Sequence, residues 1–259
     1  MIHALFAWGG ALIIGVSLGL LGSGGSILTV PVLVYLFGQD EKLAIAGSLA
    51  VVGLIASVGA LAAMRRRQFD AHAWLSLAAP GLAGAAVGAW ASHYVSGRIQ
   101  IGTFALIMLG AGAAMLRSST ESALPTGTPV PRTALPLPAL LLIGAALGVL
   151  TGFVGVGGGF LVVPALVLAA RLPPQQATGT SLGVIAMNSA VGFATHYRDL
   201  SAGGLQLDWM TLGAITAVGV IGSLGGQRWG RRLSATTMRR LFGGVVILIA
   251  ILMLADLLR

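Results

Sequence analysis

The residues in this chain best suited to chemistry are glycines, hydroxyls and one amide, and their spacing matters more than their number. Gly22-Ser23-Gly24-Gly25-Ser26 interrupts an apolar run, and Gly155-Val156-Gly157-Gly158-Gly159 interrupts another 133 positions later. A proline follows each cluster, at Pro31 and Pro164. A helix that starts after such a break leaves its first N–H groups unpaired and carries partial positive charge there. Glycines let a small oxyanion approach that backbone closely. In hydrocarbon an unpaired donor is costly, so a break survives only where protein, water or a ligand satisfies it. The chemistry these clusters suit is anion binding. Close helix crossing through small residues is the competing account.

Hydroxyls and an amide extend the set. Ser48 in Ala46-Gly47-Ser48-Leu49 matches Ser181 in Thr178-Gly179-Thr180-Ser181-Leu182. These groups fall near helix starts, where capping competes with ligand contact. Asn188 sits inside an apolar run at a position matched by Ile55. A buried amide needs a partner, either a neighbouring helix or a bound solute. The candidate substrate-binding residues are therefore Gly22, Ser23, Gly24, Gly25, Ser26, Ser48, Gly155, Gly157, Gly158, Gly159, Thr180, Ser181 and Asn188.

His196, beside Tyr197 and Arg198, reads as an interfacial histidine at a helix end. All seven acids (Asp40, Glu41, Asp70, Glu121, Asp199, Asp208, Asp256) fall in loops or at helix ends. Cation carriers and proton pumps place carboxylates within the membrane, so a cation substrate is disfavoured. Enzyme signatures fare poorly. The glycine clusters follow no strand and lack the Lys-Ser/Thr ending of a phosphate-binding loop. Four scattered histidines without paired carboxylates do not make a metal hydrolase. No catalytic residue, metal ligand or cofactor is expected.

The elements that must hold these residues are membrane helices. The chain has 259 residues, 56% hydrophobic and 8% charged. A soluble domain carries about 25% charged residues, so this one cannot cover a water-facing surface. Apolar runs of roughly 18 residues or more recur along its length, which makes it a polytopic integral membrane protein. The net charge of +8 reflects loops that set topology and meet anionic lipid headgroups, so nucleic acid is not expected as a partner. No cysteine is present. The apolar N-terminus lacks a positive n-region, so a cleaved signal peptide is not expected.

Ten helical pieces are predicted, at 4–22, 26–37, 43–64, 73–94, 99–117, 138–156, 160–170, 177–197, 208–229 and 236–257. A first transmembrane repeat (1–117) and a second (138–259) flank a Pro- and Ser-rich cytoplasmic linker (118–137). At an offset of 133, Gly15, Gly19, Gly22, Gly24, Gly25 and Pro31 match Gly148, Gly152, Gly155, Gly157, Gly158 and Pro164. At 138, Asp70, Gly81, Gly84 and Gly88 match Asp208, Gly219, Gly222 and Gly226. These last glycines read as packing faces, within a protomer or between two, and a homodimer is among the arrangements they allow.

Charge then orients the halves. Arg65, Arg66 and Arg67 follow the third piece, whereas the second half carries Arg228, Arg231 and Arg232 after its fourth. Because Lys and Arg collect on the cytoplasmic side, matched loops should lie on opposite faces. That is an inverted repeat, and it requires an odd number of crossings per half. The count is odd only if the chain turns back at each glycine cluster. The piece after each break, about 12 residues or ~18 Å at 1.5 Å per residue, suits a short or re-entrant helix. The linker is then cytoplasmic and both termini face outward.

Gly152-Phe-Val-Gly-Val-Gly-Gly-Gly-Phe-Leu-Val-Val-Pro164, followed by Ala177-Thr-Gly-Thr-Ser-Leu182, resembles the sulfite exporter TauE/SafE family, also called the toluene-sulfonate uptake permeases. The resemblance covers essentially the whole chain. The first copy has Ser23 and Ser26 where the second has Val156 and Gly159. The resemblance implies a plasma-membrane carrier of a sulfur-containing anion (sulfite, a sulfonate, sulfoacetate or thiosulfate) built from two homologous halves. The expectation is an exporter working by alternating access around the paired breaks. The competing expectation is a channel-like or scaffold membrane protein whose glycines serve packing.

Overall fold

A computed structural model describes residues 2–21, 25–117, 135–155, 159–229 and 235–257. Gly22, Ser23, Gly24, Gly157 and Gly158 lie outside the described residues, as does most of the linker. The apolar runs fold as helices: α1 (Ile2–Leu21), α2 (Ser26–Pro31), α3 (Glu41–Arg65), α4 (Ala71–His93) and α5 (Gly97–Arg117). The second half gives α6 (Leu137–Val154), α7 (Gly159–Leu168), α8 (Pro174–Ala202), α9 (Trp209–Trp229) and α10 (Ala235–Leu257). Among the described residues no strand occurs. Five stretches among the described residues are long and apolar enough to cross a bilayer: Glu41–Arg65, Ala71–His93, Gly97–Ala114, Leu137–Val154 and Trp209–Arg228. The helices follow the predicted pieces within a few residues, except that α8 runs on to Ala202. His196, Tyr197 and Arg198 therefore lie inside a helix.

Acids placed at helix starts act as caps. Asp70 accepts from the Ala73 N–H at 2.8 Å, and its repeat mate Asp208 accepts from the Thr211 N–H at 3.1 Å. Asp40 does the same for Lys42 at 3.1 Å. A side-chain acceptor satisfies one of the donors a helix start leaves orphaned.

The chain turns back at both glycine clusters. Gly25 lies against Ile14 and Leu18, Gly10 lies against Val32 and Leu36, and the Trp8 and Phe37 rings are 6.1 Å apart. Increasing number along the second segment thus pairs with decreasing number along α1, so α2 runs antiparallel to it. In the second half the Leu135 N–H reaches the Ala169 carbonyl at 2.9 Å, which brings the end of α7 back to the start of α6. Both returning helices contain a proline and end alike. Pro31 has no N–H to donate, and α2 continues as a π-helical turn over Val32–Leu36. The Phe37 N–H meets the Val32 carbonyl at 3.1 Å, as Ala170 meets Ala165 at 3.3 Å.

The halves exchange partners. α1 packs on α9 of the second half, and α6 packs on α4 of the first. A side chain on Gly15 would collide with the Gly219 carbonyl, and one on Gly148 with the matched Gly81 carbonyl. Gly222 and Gly84 likewise press on Val16 and Val149 of the facing helices. Those glycine faces are used within the chain. Between the two exchanged pairs, α3 and α8 cross antiparallel, with Gly59 beside Leu182, Gly53 beside Ser189 and Gly192 beside Leu49. α5 packs on α10.

Candidate functional site

The first break brings a helix start to the middle of the bundle. α1 descends past the level where Gly15 meets Gly219, and Ile55 of α3 packs on that same Gly219. After the turn, Gly25 lies back beside Ile14 and Leu18, close to that level. α2 begins there with Ser26 and Thr29 fully buried, and the Thr29 hydroxyl donates to the Gly25 carbonyl at 3.2 Å. α7 begins at the matched residue, Gly159, and contacts α2. The start of α2 therefore lies near the middle of the α3–α8 crossing, and α7 packs on both α2 and α8.

At that crossing sits Asn188. It is fully buried, with its amide against Gly81 of α4, where only a glycine leaves it room. Neither its oxygen nor its nitrogen has a hydrogen-bond partner. Its mate Ile55 packs on Gly219 in the same way, so one polar and one apolar side chain fill equivalent slots. The next residue, Ser189, faces Gly53 with its hydroxyl also unpartnered.

Ser48 links the first half to the second break. α6 ends at Val154, and Gly155 follows with φ +76° and its N–H on the Thr151 carbonyl at 2.9 Å. That left-handed turn favours glycine. The Ser48 hydroxyl donates to the Ile45 carbonyl at 2.8 Å and also lies against the Gly155 carbonyl. The structure thus brings together Ser48 and Gly155, two residues 107 positions apart. Ser181 makes the matched bond to the Thr178 carbonyl at 2.8 Å.

Thr180 goes elsewhere. It is fully buried, and its hydroxyl oxygen accepts from the Asp70 N–H at 2.9 Å, which ties α8 to the loop before α4.

His196 does not sit at a helix end. It is 8% exposed, with Nε2 2.9 Å from the Gly152 carbonyl near the end of α6. The extension of α8 past residue 197 is the reason: the histidine sits more than a turn inside its helix and faces α6. Beside it lies a cavity of about 200 Å³, lined among others by Lys42, Ser92, His93, Gln100 and Asp199. His93 and Asp199 pair there at 3.5 Å. Gln100 is 1% exposed and donates to the Ser92 carbonyl at 2.8 Å. Sequence reading did not single out Gln100, Ser223 or Gln227, all with unpartnered buried atoms. A glutamine near a helix end gives no periodic signal that would mark it.

Comparison with known proteins fits this architecture. A family model described as "Sulfite exporter TauE/SafE" matches residues 7–253. A "Probable membrane transporter protein" of Xylella fastidiosa (strain 9a5c) is 33% identical over 255 residues, covering 92% of this chain and 90% of the relative. YunE of Bacillus subtilis (strain 168), named a probable membrane transporter protein, is 27% identical over 258 residues, covering 92% of each. YdhB of the same organism, named likewise, is 34% identical over 119 residues, 46% of each chain. No solved structure matches.

Proposed function

Because the chain belongs to the sulfite exporter TauE/SafE family, we propose that this multi-pass membrane transporter carries a small sulfur-containing anion out across the plasma membrane. The solute binds where the starts of α2 and α7 approach each other, and the two inverted halves expose that place alternately to either side. The partial positive charge of the helix starts supplies the field. Of the candidate residues described, Gly25, Ser26, Ser48, Gly155, Gly159, Ser181 and Asn188 are the ones we assign to this centre, and Thr180 positions α4 through Asp70. Direction follows from charge. With 100 mV negative inside, each anionic charge leaves with a gain of about 2.3 kcal/mol, so export requires no built-in coupling site.

The observation that carries the reading is the Asn188 amide, fully buried at the crossing with both ends unpartnered. An unmade hydrogen bond on a buried group costs about 1–3 kcal/mol, and a solute oxygen removes that cost at the N–H end. Asn188→Leu should abolish sulfite and methanesulfonate flux in proteoliposomes. It should also leave the melting temperature in solute-free detergent equal or higher, since no bond is lost. Full flux in that variant would remove Asn188 from the path. A lowered melting temperature would make it an interhelical tie.

A further inference from the structure

We propose that Gln227 and Ser223 of α9, oriented by Arg66, form a second anion-binding station at the end of the bundle that carries the Arg65–Arg67 loop. The station rests on the transport reading and deepens it, by naming where the solute is held on that side. Arg66 Nη1 donates to Gln227 Oε1 at 3.2 Å. A guanidinium has donors only, so it fixes the carbonyl end of the amide toward itself and turns the NH₂ end inward. There Nε2 approaches Gly59, 3.2 Å from where a Cβ would stand, and it is buried without a partner.

Ser223 lies four residues earlier, one turn along the same face of α9. It is 1% exposed, and its hydroxyl has no partner. A helical serine or threonine ordinarily returns its proton to the carbonyl four residues back, as Ser17, Ser57 and Thr216 do here at 2.6, 2.7 and 2.7 Å. Ser223 does not. Its own carbonyl lies against Gly19, three residues before the first glycine cluster. Two buried donors on one face, unmatched by any acceptor and backed by a guanidinium, suit a small solute with several negative oxygens. A sulfite or sulfonate headgroup fits that description. Both donors are shielded in the present arrangement, in which the cavity lies at the other end, by Lys42 and His93. The station opens when α9 moves away from α3.

The test uses the whole protein in proteoliposomes, with sulfite and methanesulfonate as solutes. Gln227→Glu keeps the Arg66 pairing and replaces the inward donor with an acceptor, while Ser223→Ala deletes the hydroxyl. Each should raise the half-saturating solute concentration about tenfold or more, since a hydrogen bond to a charged group is lost. The melting temperature without solute should be unchanged or higher, which a merely structural pair would not allow. Ser223→Cys would be the only thiol in a cysteine-free chain. A negatively charged methanethiosulfonate reagent should label it from the Arg65–Arg67 side only, and methanesulfonate should slow the labelling. Wild-type flux with unchanged half-saturation in both variants, or labelling that methanesulfonate does not slow, overturns the station alone. Wild-type protein that neither binds nor moves either solute overturns the transport reading, and the station with it.

Discussion

Asn188 and Ile55 hold matched positions and meet matched glycines, Gly81 and Gly219, yet one is an amide and the other a branched hydrocarbon. Glycine is required at Gly81 and Gly219 because the Asn188 amide and the Ile55 side chain fill the space a Cβ would need, and at Gly148 and Gly15 because the facing backbone does; the consequence is measurable. Gly148→Val and Gly15→Val should each destabilise the protein by about 3 kcal/mol, seen as a lowered melting temperature and reduced monodisperse yield. Gly110 and Gly213 have nothing within 4 Å, so Gly110→Ala should be neutral or stabilising by about 0.5–1 kcal/mol through helix propensity. Outside the spans, Thr211 holds Asp208 below its ordinary value by bonds from its hydroxyl and N–H. A depressed carboxylate contributes stability above its unfolded value and loses it as pH falls through the folded one. The gap in melting temperature between wild type and Thr211→Val should therefore be present at pH 7 and close on acidification through that range.

The reversal of α2 along α1 is the feature of this fold most directly tied to the glycine clusters. Gly25 is the contact that permits it, since any side chain there would strike the Ile14 carbonyl. Gly25→Val should therefore prevent α2 from lying back on α1 and reduce sulfite flux in proteoliposomes at least tenfold. Gly38, exposed with φ +64° and open space around it, offers a control. Gly38→Ala should cost about 1 kcal/mol of backbone strain and leave flux intact. If both variants transport alike, the close return of α2 is not part of the pathway. The reversal was expected from charge, because an inverted reading of Arg65–Arg67 and Arg228–Arg232 would need an odd number of crossings per half. The π-helical turn after Pro31 was not, because proline marks a break without stating how the following carbonyls are satisfied.

Across the whole molecule, repeat-matched helices either exchange partners, as α1–α9 and α6–α4 do, or cross antiparallel, as α3 and α8 do. Antiparallel matched helices are what inverted halves require, and sidedness can be measured in this cysteine-free chain. Single cysteines at Arg67 and Ser201, each just after or near the end of a matched helix, should react with an impermeant thiol reagent from opposite sides of the membrane. Labelling of both from one side would rule out the inverted arrangement. The exchange of partners also means that neither half buries its own glycine faces, so residues 138–259 expressed alone should fail to give a stable protein.

Composition and run length were enough to define a polytopic helical protein and its ten helical pieces, and the glycine clusters at a constant offset to propose two related halves. Those properties are local or periodic, and hydrophobic run length and glycine spacing encode them directly. Which helices touch was decided only by tertiary structure. Thr180 bonds the Asp70 N–H, His196 meets the Gly152 carbonyl, and Ser48 finds Gly155 from 107 residues away. A polar side chain in an apolar helix announces that it needs a partner. Only the packing of distant segments determines whether it finds one, as Thr180 does, or is left waiting, as Asn188 is.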